Sequence, residues 1–280
     1  MKKSFWVVAD WVRVSKESER FVVEYEGKKY EIAAMIADLI VIDGDFTITT
    51  AALELASRNN VTMVFIRGKD LMWFYKAFPS KDVSYFIYQY EAVRSRTDIT
   101  DALIRGFYHN YTRIARKLKI KVPKLKLGMF CEYKDNLLGL VAESVSSKLR
   151  VDKERLISLA DYLRLFVLAE CLDSVIKLGL SPFMGFIHKE SLIHDLELLF
   201  EFSLVWCSLL DFDRPLDSVN INSGPSKRAL LRSLRRMLES PVADVKGRKY
   251  TFYKHLRSTA RSLRSSILNP SIKFEPFLVS

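Results

Sequence analysis

Gly179-Leu180-Ser181-Pro182-Phe183-Met184-Gly185-Phe186-Ile187-His188, followed at once by Lys189-Glu190-Ser191-Leu192-Ile193-His194-Asp195-Leu196-Glu197, decides the reading of this chain. Apolar residues recur at helical spacing on both sides, so the stretch links two helices. Gly179 suits the position just after a helix C-terminus, and Ser181-Pro182 begins the next turn. Ser191 suits the N-cap of the helix that carries Asp195. This places His188 and Asp195 on neighbouring helix faces, where a carboxylate from an earlier helix, Glu143, can join them. One imidazole and two carboxylates suit a hard divalent ion such as Mg²⁺ or Mn²⁺. Such an ion stabilises charge on a phosphoryl oxygen and orients an attacking hydroxyl. A single histidine among apolar residues is more often a packing residue, so the stretch alone does not assign an activity.

Working outward, helical spacing covers about 84–119, 136–149, 152–178, 191–210, 226–239 and 251–268. Asn220-Ile221-Asn222-Ser223-Gly224-Pro225 reads as a turn, and Pro123 marks a break inside a basic loop. The first 66 residues differ in character. Phe5–Val8 and Trp11–Val14 read as strands, and Phe21–Tyr25 and Tyr30–Ile32 as a hairpin turning at Gly27. Leu39–Ile42 reads as a buried strand closed by Asp43-Gly44-Asp45. Thr49 or Thr50 caps a helix that runs to Ser57 and ends at Asn59-Asn60, and Val61–Ile66 is a further strand. Pro79-Ser80-Lys81-Asp82 reads as a linker. The expected organisation is a β-rich unit over 1–79 and a helical unit over 84–280.

The chain of 280 residues carries a formal charge of +11, and the excess is local. Residues 221–264 hold twelve basic side chains against Glu239 and Asp244, and Arg113–Lys126 holds seven with no acid. Arg228, Arg232, Arg235 and Arg236 share one helix face, as do Lys254, Arg257, Arg261 and Arg264; Lys227 adjoins the first set. A helix that is merely solvated usually mixes signs. Faces without interleaved glutamate point to a phosphate backbone. A membrane surface fits less well, since no tryptophan-rich stripe faces them.

Other chemistry finds little support. The three cysteines, 131, 171 and 207, have no CxxC spacing and read as buried free thiols. No Walker loop, Gly-x-Gly-x-x-Gly turn, Gly-x-Ser-x-Gly elbow or His-x-x-x-His pair occurs. No apolar run is long enough to span a bilayer, and no leader-like apolar region follows Met1-Lys2-Lys3. A soluble, cytoplasmic protein is expected.

The residues resemble the CRISPR-associated integrase of spacer acquisition, the first of the numbered Cas families. Gly179, Leu180, Pro182, Gly185, Phe186 and His188 match its Gly-Leu-x-Pro-x-x-Gly-Phe-x-His run, and Ser191, Leu192, Asp195 and Leu196 match the helix after it. The stretch from Leu39 to Ile66 and Gln89-Tyr90-Glu91-Ala92 agree as well. The resemblance implies an α+β protein, with a small N-terminal β-sandwich-like domain before a larger all-α catalytic domain. It implies a metal-dependent DNA endonuclease and integrase, in which a DNA 3′-hydroxyl, or water in the nuclease reaction, attacks a phosphodiester. Glu143, His188 and Asp195 would hold Mg²⁺ or Mn²⁺. Lys227, Arg228, Arg232, Arg235, Arg236, Lys254, Arg257, Arg261 and Arg264 would meet DNA, duplex or branched. The implied partners are a second copy, in a homodimer formed through the N-terminal unit, and a small ferredoxin-like CRISPR-associated adaptation protein. The chain departs from the pattern at Leu198, where an acid is expected, at Arg164, where a tyrosine is expected, and around Glu143, which lacks the following glycine. These departures motivate an alternative: a DNA-binding scaffold of the same fold with a weakened site.

Overall fold

The computed structural model describes residues 2–68, 70–75, 83–120, 122 and 130–280. They form two compact units: Met1–Lys81 with Ile221–Arg228, and Asp82–Asn220 with Ala229–Ser280. The short segment Ile221–Arg228, read from sequence as part of the helical unit, groups with the N-terminal one. The Pro79–Asp82 linker, Pro123 and the Lys121, Lys124 and Lys126 end of the second basic run lie outside the described residues.

The N-terminal unit is built on a mixed six-stranded sheet. Its strands are β1 (Lys3–Glu17), β2 (Arg20–Tyr25), β3 (Lys28–Ala33), β4 (Ala37–Ile48), β5 (Thr62–Arg67) and β6 (Asp70–Tyr75), in the spatial order β3-β2-β1-β4-β5-β6. β4 runs parallel to both β1 and β5; the remaining pairs are antiparallel. The hairpin turns at Glu26-Gly27, both in the left-handed region. Helix α1 (Thr50–Arg58) joins β4 to β5, capped by the Thr49 hydroxyl at 3.3 Å from the amide of Ala52.

Two expectations change here. Phe5–Val8 and Trp11–Val14 are one strand, and β4 does not stop at Asp43-Gly44-Asp45. The register between β1 and β4 shifts between Val8 and Trp11, a bulge that bends the pair without ending it. Gly44 passes over the bulge at φ +136°, and a Cβ there would lie 1.8 Å from the Ala9 carbonyl oxygen. Only glycine lets the strand continue. The residues before the bulge (Val7, Ile40, Ile42, Met63) and after it (Val12, Val14, Phe21, Ile32) then share one core with Leu55 of α1.

The helical unit contains α2 (Val83–Ser95), α3 (Thr97–Lys117), α4 (Phe130–Leu149), α5 (Lys153–Lys177), α6 (Leu192–Glu197), α7 (Cys207–Leu210), α8 (Gly224–Glu239, of which the part from Ala229 belongs to this unit) and α9 (Phe252–Leu268). A two-stranded ribbon, β7 (Pro241–Ala243) with β8 (Lys249–Thr251), adds a β element that the helical spacing did not reveal. α5 is buried without interruption from Leu165 to Ile176, with Glu170 and Asp173 included, as the central helix of a unit must be. The helix expected over 84–119 breaks at Arg96, whose guanidinium holds Asp98 at 2.7 Å and the Ser266 carbonyl at 2.9 Å. The helix expected over 191–210 divides into α6, a turn, a π-helical stretch (Phe202–Trp206) and α7. The C-terminal tail packs: Phe277 stacks on Phe200 with ring centroids 5.0 Å apart, and Asn110 binds the Phe277 carbonyl and the Val279 amide. Cys171 is buried and Cys207 half-buried, both as free thiols. No helix among the described residues is long and apolar enough to cross a membrane.

Candidate functional site

The loop from Gly179 to Ser191 is held by two buried polar side chains. The first is Gln89 on α2, fully buried. Its amide nitrogen donates to the carbonyls of Ser181 (2.9 Å) and Met184 (2.7 Å), and its oxygen accepts from the Ser181 amide (2.7 Å). The second is Asp195 on α6, with no exposed surface. Its carboxylate accepts from the backbone amides of Phe186, Ile187 (3.1 Å) and His188 (2.8 Å), and from His188 Nδ1 at 2.8 Å. Three successive amides around one carboxylate form an anion nest, here filled by the protein's own side chain.

The local sequence explains this geometry. Gly179 ends α5 at φ +75°. Gly185 sits where a Cβ would lie 2.2 Å from the His188 carbonyl oxygen and 2.7 Å from Asp195 Oδ2. Any side chain there would force the nest apart. The Ser191 hydroxyl caps α6 at the His194 amide (3.4 Å) and meets His194 Nδ1 at 2.5 Å. Burial lowers the pKa of His194, against a smaller opposing pull from Glu197.

His188 and Asp195, matched in sequence, are therefore in direct contact, and Glu143 is engaged elsewhere. Glu143 lies exposed on α4 in an ion pair with Lys153 at 2.7 Å. Among the described residues, no three His, Cys, Asp or Glu side chains stand together as a set that could hold a metal ion. Both Asp195 oxygens are committed to the nest and to His188, so the set Glu143, His188 and Asp195 does not fit a Mg²⁺ or Mn²⁺ ion in this arrangement. His188 itself is half-buried, with Nδ1 fixed by Asp195 and the opposite edge of the ring directed away from that carboxylate.

Beside the nest lies a charged cluster that the sequence reading did not assemble. Arg164 on α5 grips Glu197 with Nε at 2.7 Å and Nη2 at 3.1 Å. Its Nε is 3.7 Å from Glu201, and Nη1 is 3.4 Å from Asp161. Glu197 and Glu201 are each 1% exposed. Burial, then the charge of Glu197, pushes the Glu201 carboxyl up to about 7 against the opposing pull of Arg164. Burial disfavours the Arg164 charge, but Glu197 and then Glu201 outweigh it and its pKa is raised. The available signal was two acids four residues apart inside the apolar run Leu196–Trp206, which calls for a buried cation or a bound proton. Gln89 stands out in sequence only through the resemblance at Gln89-Tyr90-Glu91-Ala92.

The basic faces divide by use. Lys227 Nζ is 2.9 Å from Asp43, and Arg228 binds Glu26 (2.8 Å) and the Val8 carbonyl (2.9 Å), all within the N-terminal unit. Arg232 and Arg236 are exposed and Arg235 half-buried; with Arg214, Asp213 and Glu239 they line a cavity of 340 Å³ in the helical unit. On α9, Lys254 and Arg261 are exposed and Arg257 and Arg264 half-buried. Lys254 lies 3.5 Å above the Tyr250 ring, and Arg264 lies 4.7 Å above that of Tyr85.

Residues 6–150 match the sequence model of CRISPR associated protein Cas1. No curated protein matches. Among solved structures, a CAS1 protein from Thermotoga maritima superimposes with a TM-score of 0.77 at 14% identity, covering 95% of this chain and 97% of that one. A casposase bound to integration product gives 0.75 at 16% identity, covering 98% and 93%. A TtCas1–DNA complex gives 0.64 at 15% identity, covering 93% and 91%. At such identities the likeness is one of fold.

Proposed function

The chain belongs to the CRISPR-associated Cas1 family, and from that premise we propose that it binds DNA during CRISPR spacer integration, holding the phosphate backbone on the basic faces of its helical unit. The observation that carries this reading is the cavity where, among the described residues, Arg214, Arg232, Arg235 and Arg236 converge with Asp213 and Glu239 as the acids. Guanidinium forks match phosphate oxygens, and a cluster of them concentrates positive potential. Asp195 then acts as an organiser of the loop, and the role favoured is that of a DNA-holding scaffold.

Metal-dependent cleavage and strand transfer form the second reading. His188 supports it: a carboxylate-oriented imidazole at a half-exposed position is suited to ligation or proton transfer. The cofactor in that reading is Mg²⁺ or Mn²⁺. A cytoplasmic homodimer through the N-terminal unit, with a small ferredoxin-like adaptation protein as a further partner, completes the proposal. Trp11, Met35 and Ile36, exposed at 51%, 75% and 44%, support the dimer.

The test is a binding and strand-transfer assay on branched DNA, with wild type beside His188→Ala and Glu143→Ala. Tight, salt-sensitive binding without turnover in either metal is the expected result. Binding that ignores salt between low and physiological ionic strength would remove the phosphate reading. Mn²⁺- or Mg²⁺-dependent turnover lost in both variants would establish the catalytic one instead.

A further inference from the structure

We propose that Arg164 is the resident counterion of a buried two-carboxylate site, holding Glu197 and Glu201 in the place that a divalent cation would otherwise take. The inference does not depend on the DNA-binding reading, since it concerns how the helical unit neutralises its own core.

The geometry carries it. Glu197 closes α6 and Glu201 follows four residues on, after the turn, both 1% exposed. Two buried carboxylates this close repel each other, and either a proton on one of them or a cation beside them must offset the charge. Arg164 supplies one from α5, gripping both oxygens of Glu197 and approaching Glu201 Oε1 at 3.7 Å. Glu201 Oε2 is buried and has no hydrogen-bond partner among the described residues. The pair therefore offers more acceptor capacity than the guanidinium fills, which is the property of an oxygen-donor site for a hard cation. A guanidinium differs from an ion in one respect that can be measured: it cannot be extracted by a chelator. It is tethered to α5, and its charge is permanent. The half-exposed Asp161, 3.4 Å from Arg164, marks the side from which solvent reaches the cluster.

The experiment reads thermal stability and Mn²⁺ binding without DNA. Wild type should melt within about 1 °C of the same temperature in EDTA and in millimolar Mn²⁺ or Mg²⁺. Arg164→Ala should melt on the order of 10 °C lower, because it leaves buried charge without its partner. It should also acquire a Mn²⁺ response, recovering roughly 3 °C for each tenfold of metal above its dissociation constant. Adding Glu201→Gln should abolish that response. If Arg164→Ala does not fold, Arg164→Gln, which keeps amide donors near the acids, carries the same test. Titration of the wild type with Mn²⁺, followed by the electron paramagnetic resonance of the free ion, decides the matter in any event. Binding that disappears in Glu197→Gln would show a metal site already present and overturn the proposal. A Mn²⁺-insensitive Arg164 variant that folds would overturn it as well.

Discussion

Replacing Asp195 with alanine tests whether the loop before α6 is organised by its carboxylate. The side chain is fully buried and accepts from three successive backbone amides and from His188. Alanine removes all four acceptor contacts and supplies none. A buried donor left without a partner costs about 1–3 kcal/mol. The Phe186 bond is fully buried, while those of Ile187 and His188 are partly so. Taking ~2 kcal/mol for the first and ~1 kcal/mol for each of the others gives a loss of ~4 kcal/mol. For a chain of this size that lowers Tm by roughly 8–16 °C. Asp195→Asn should fall between, since it keeps one acceptor oxygen but turns an NH₂ towards backbone donors. Thermal melts give the magnitude, and hydrogen exchange at the 186–188 amides locates it. A variant that melts within 2 °C of wild type, with those amides still protected, would refute the reasoning. If strand transfer were lost while the melt stayed put, Asp195 would belong to the chemistry instead of the scaffold.

The other predictions use the same measurements. Glu201 binds its proton more tightly folded than unfolded, so its stabilising contribution is complete below its ordinary value of 4.5 and is lost as pH rises through about 7. Wild type should lose up to ~3 kcal/mol from this source between pH 5 and pH 8, and Glu201→Gln should flatten the decline and melt higher at pH 8; parallel melting curves for the two proteins would contradict it. Gly44→Ala should leave the N-terminal unit unfolded or the chain insoluble, because its Cβ would lie 1.8 Å from the Ala9 oxygen; a soluble variant with unchanged melting would show the bulge to be adaptable. Lys227→Ala should lower Tm by about 4–8 °C through the loss of its ion pair with Asp43, yet leave the salt dependence of DNA binding intact. Arg232→Ala with Arg236→Ala should do the reverse, reducing the slope of log K against log salt by about 2, at ~0.9 per phosphate contact.

Much of the fold was legible because it rests on local signals. The turn at Gly27, the Thr49 cap and the Ser191 cap all depend on residue types whose preferences act within a few positions. The errors share a cause: each needed knowledge of a distant partner. Asp43-Gly44-Asp45 looks like a strand end until the bulge in β1 is opposite it. Arg96 looks like a helix residue until the Ser266 carbonyl takes its guanidinium. The ribbon of β7 and β8 is only three residues per strand and leaves no run of alternation to read. His188 and Asp195 stand seven residues apart on a loop and a cap that the sequence shows, whereas Glu143 rests on its residue type and on the resemblance, and in the structure it pairs with Lys153.

Charge shows the same limit. Spacing along α8 puts Arg228, Arg232, Arg235 and Arg236 on one face, and the sequence treats them as equivalent. The structure does not. Arg228 is held by Glu26 and the Val8 carbonyl, and Lys227 by Asp43, so these two of the cations assigned to DNA are already engaged by close carboxylate partners. A phosphate must displace such a partner before it gains anything, whereas at Arg232 or Arg261 it displaces mainly water. Arg236 faces Asp213 at 4.0 Å with both side chains exposed, a pairing too weak to compete with a polyanion. Arg164 is the extreme case: in sequence it counts towards the basic total, but folded it is enclosed by the acids it neutralises. The formal charge of +11 is therefore not the charge a partner meets, and the strength of the DNA interaction should follow the exposed residues, Arg232, Arg236, Lys254 and Arg261, more closely than the count of basic side chains.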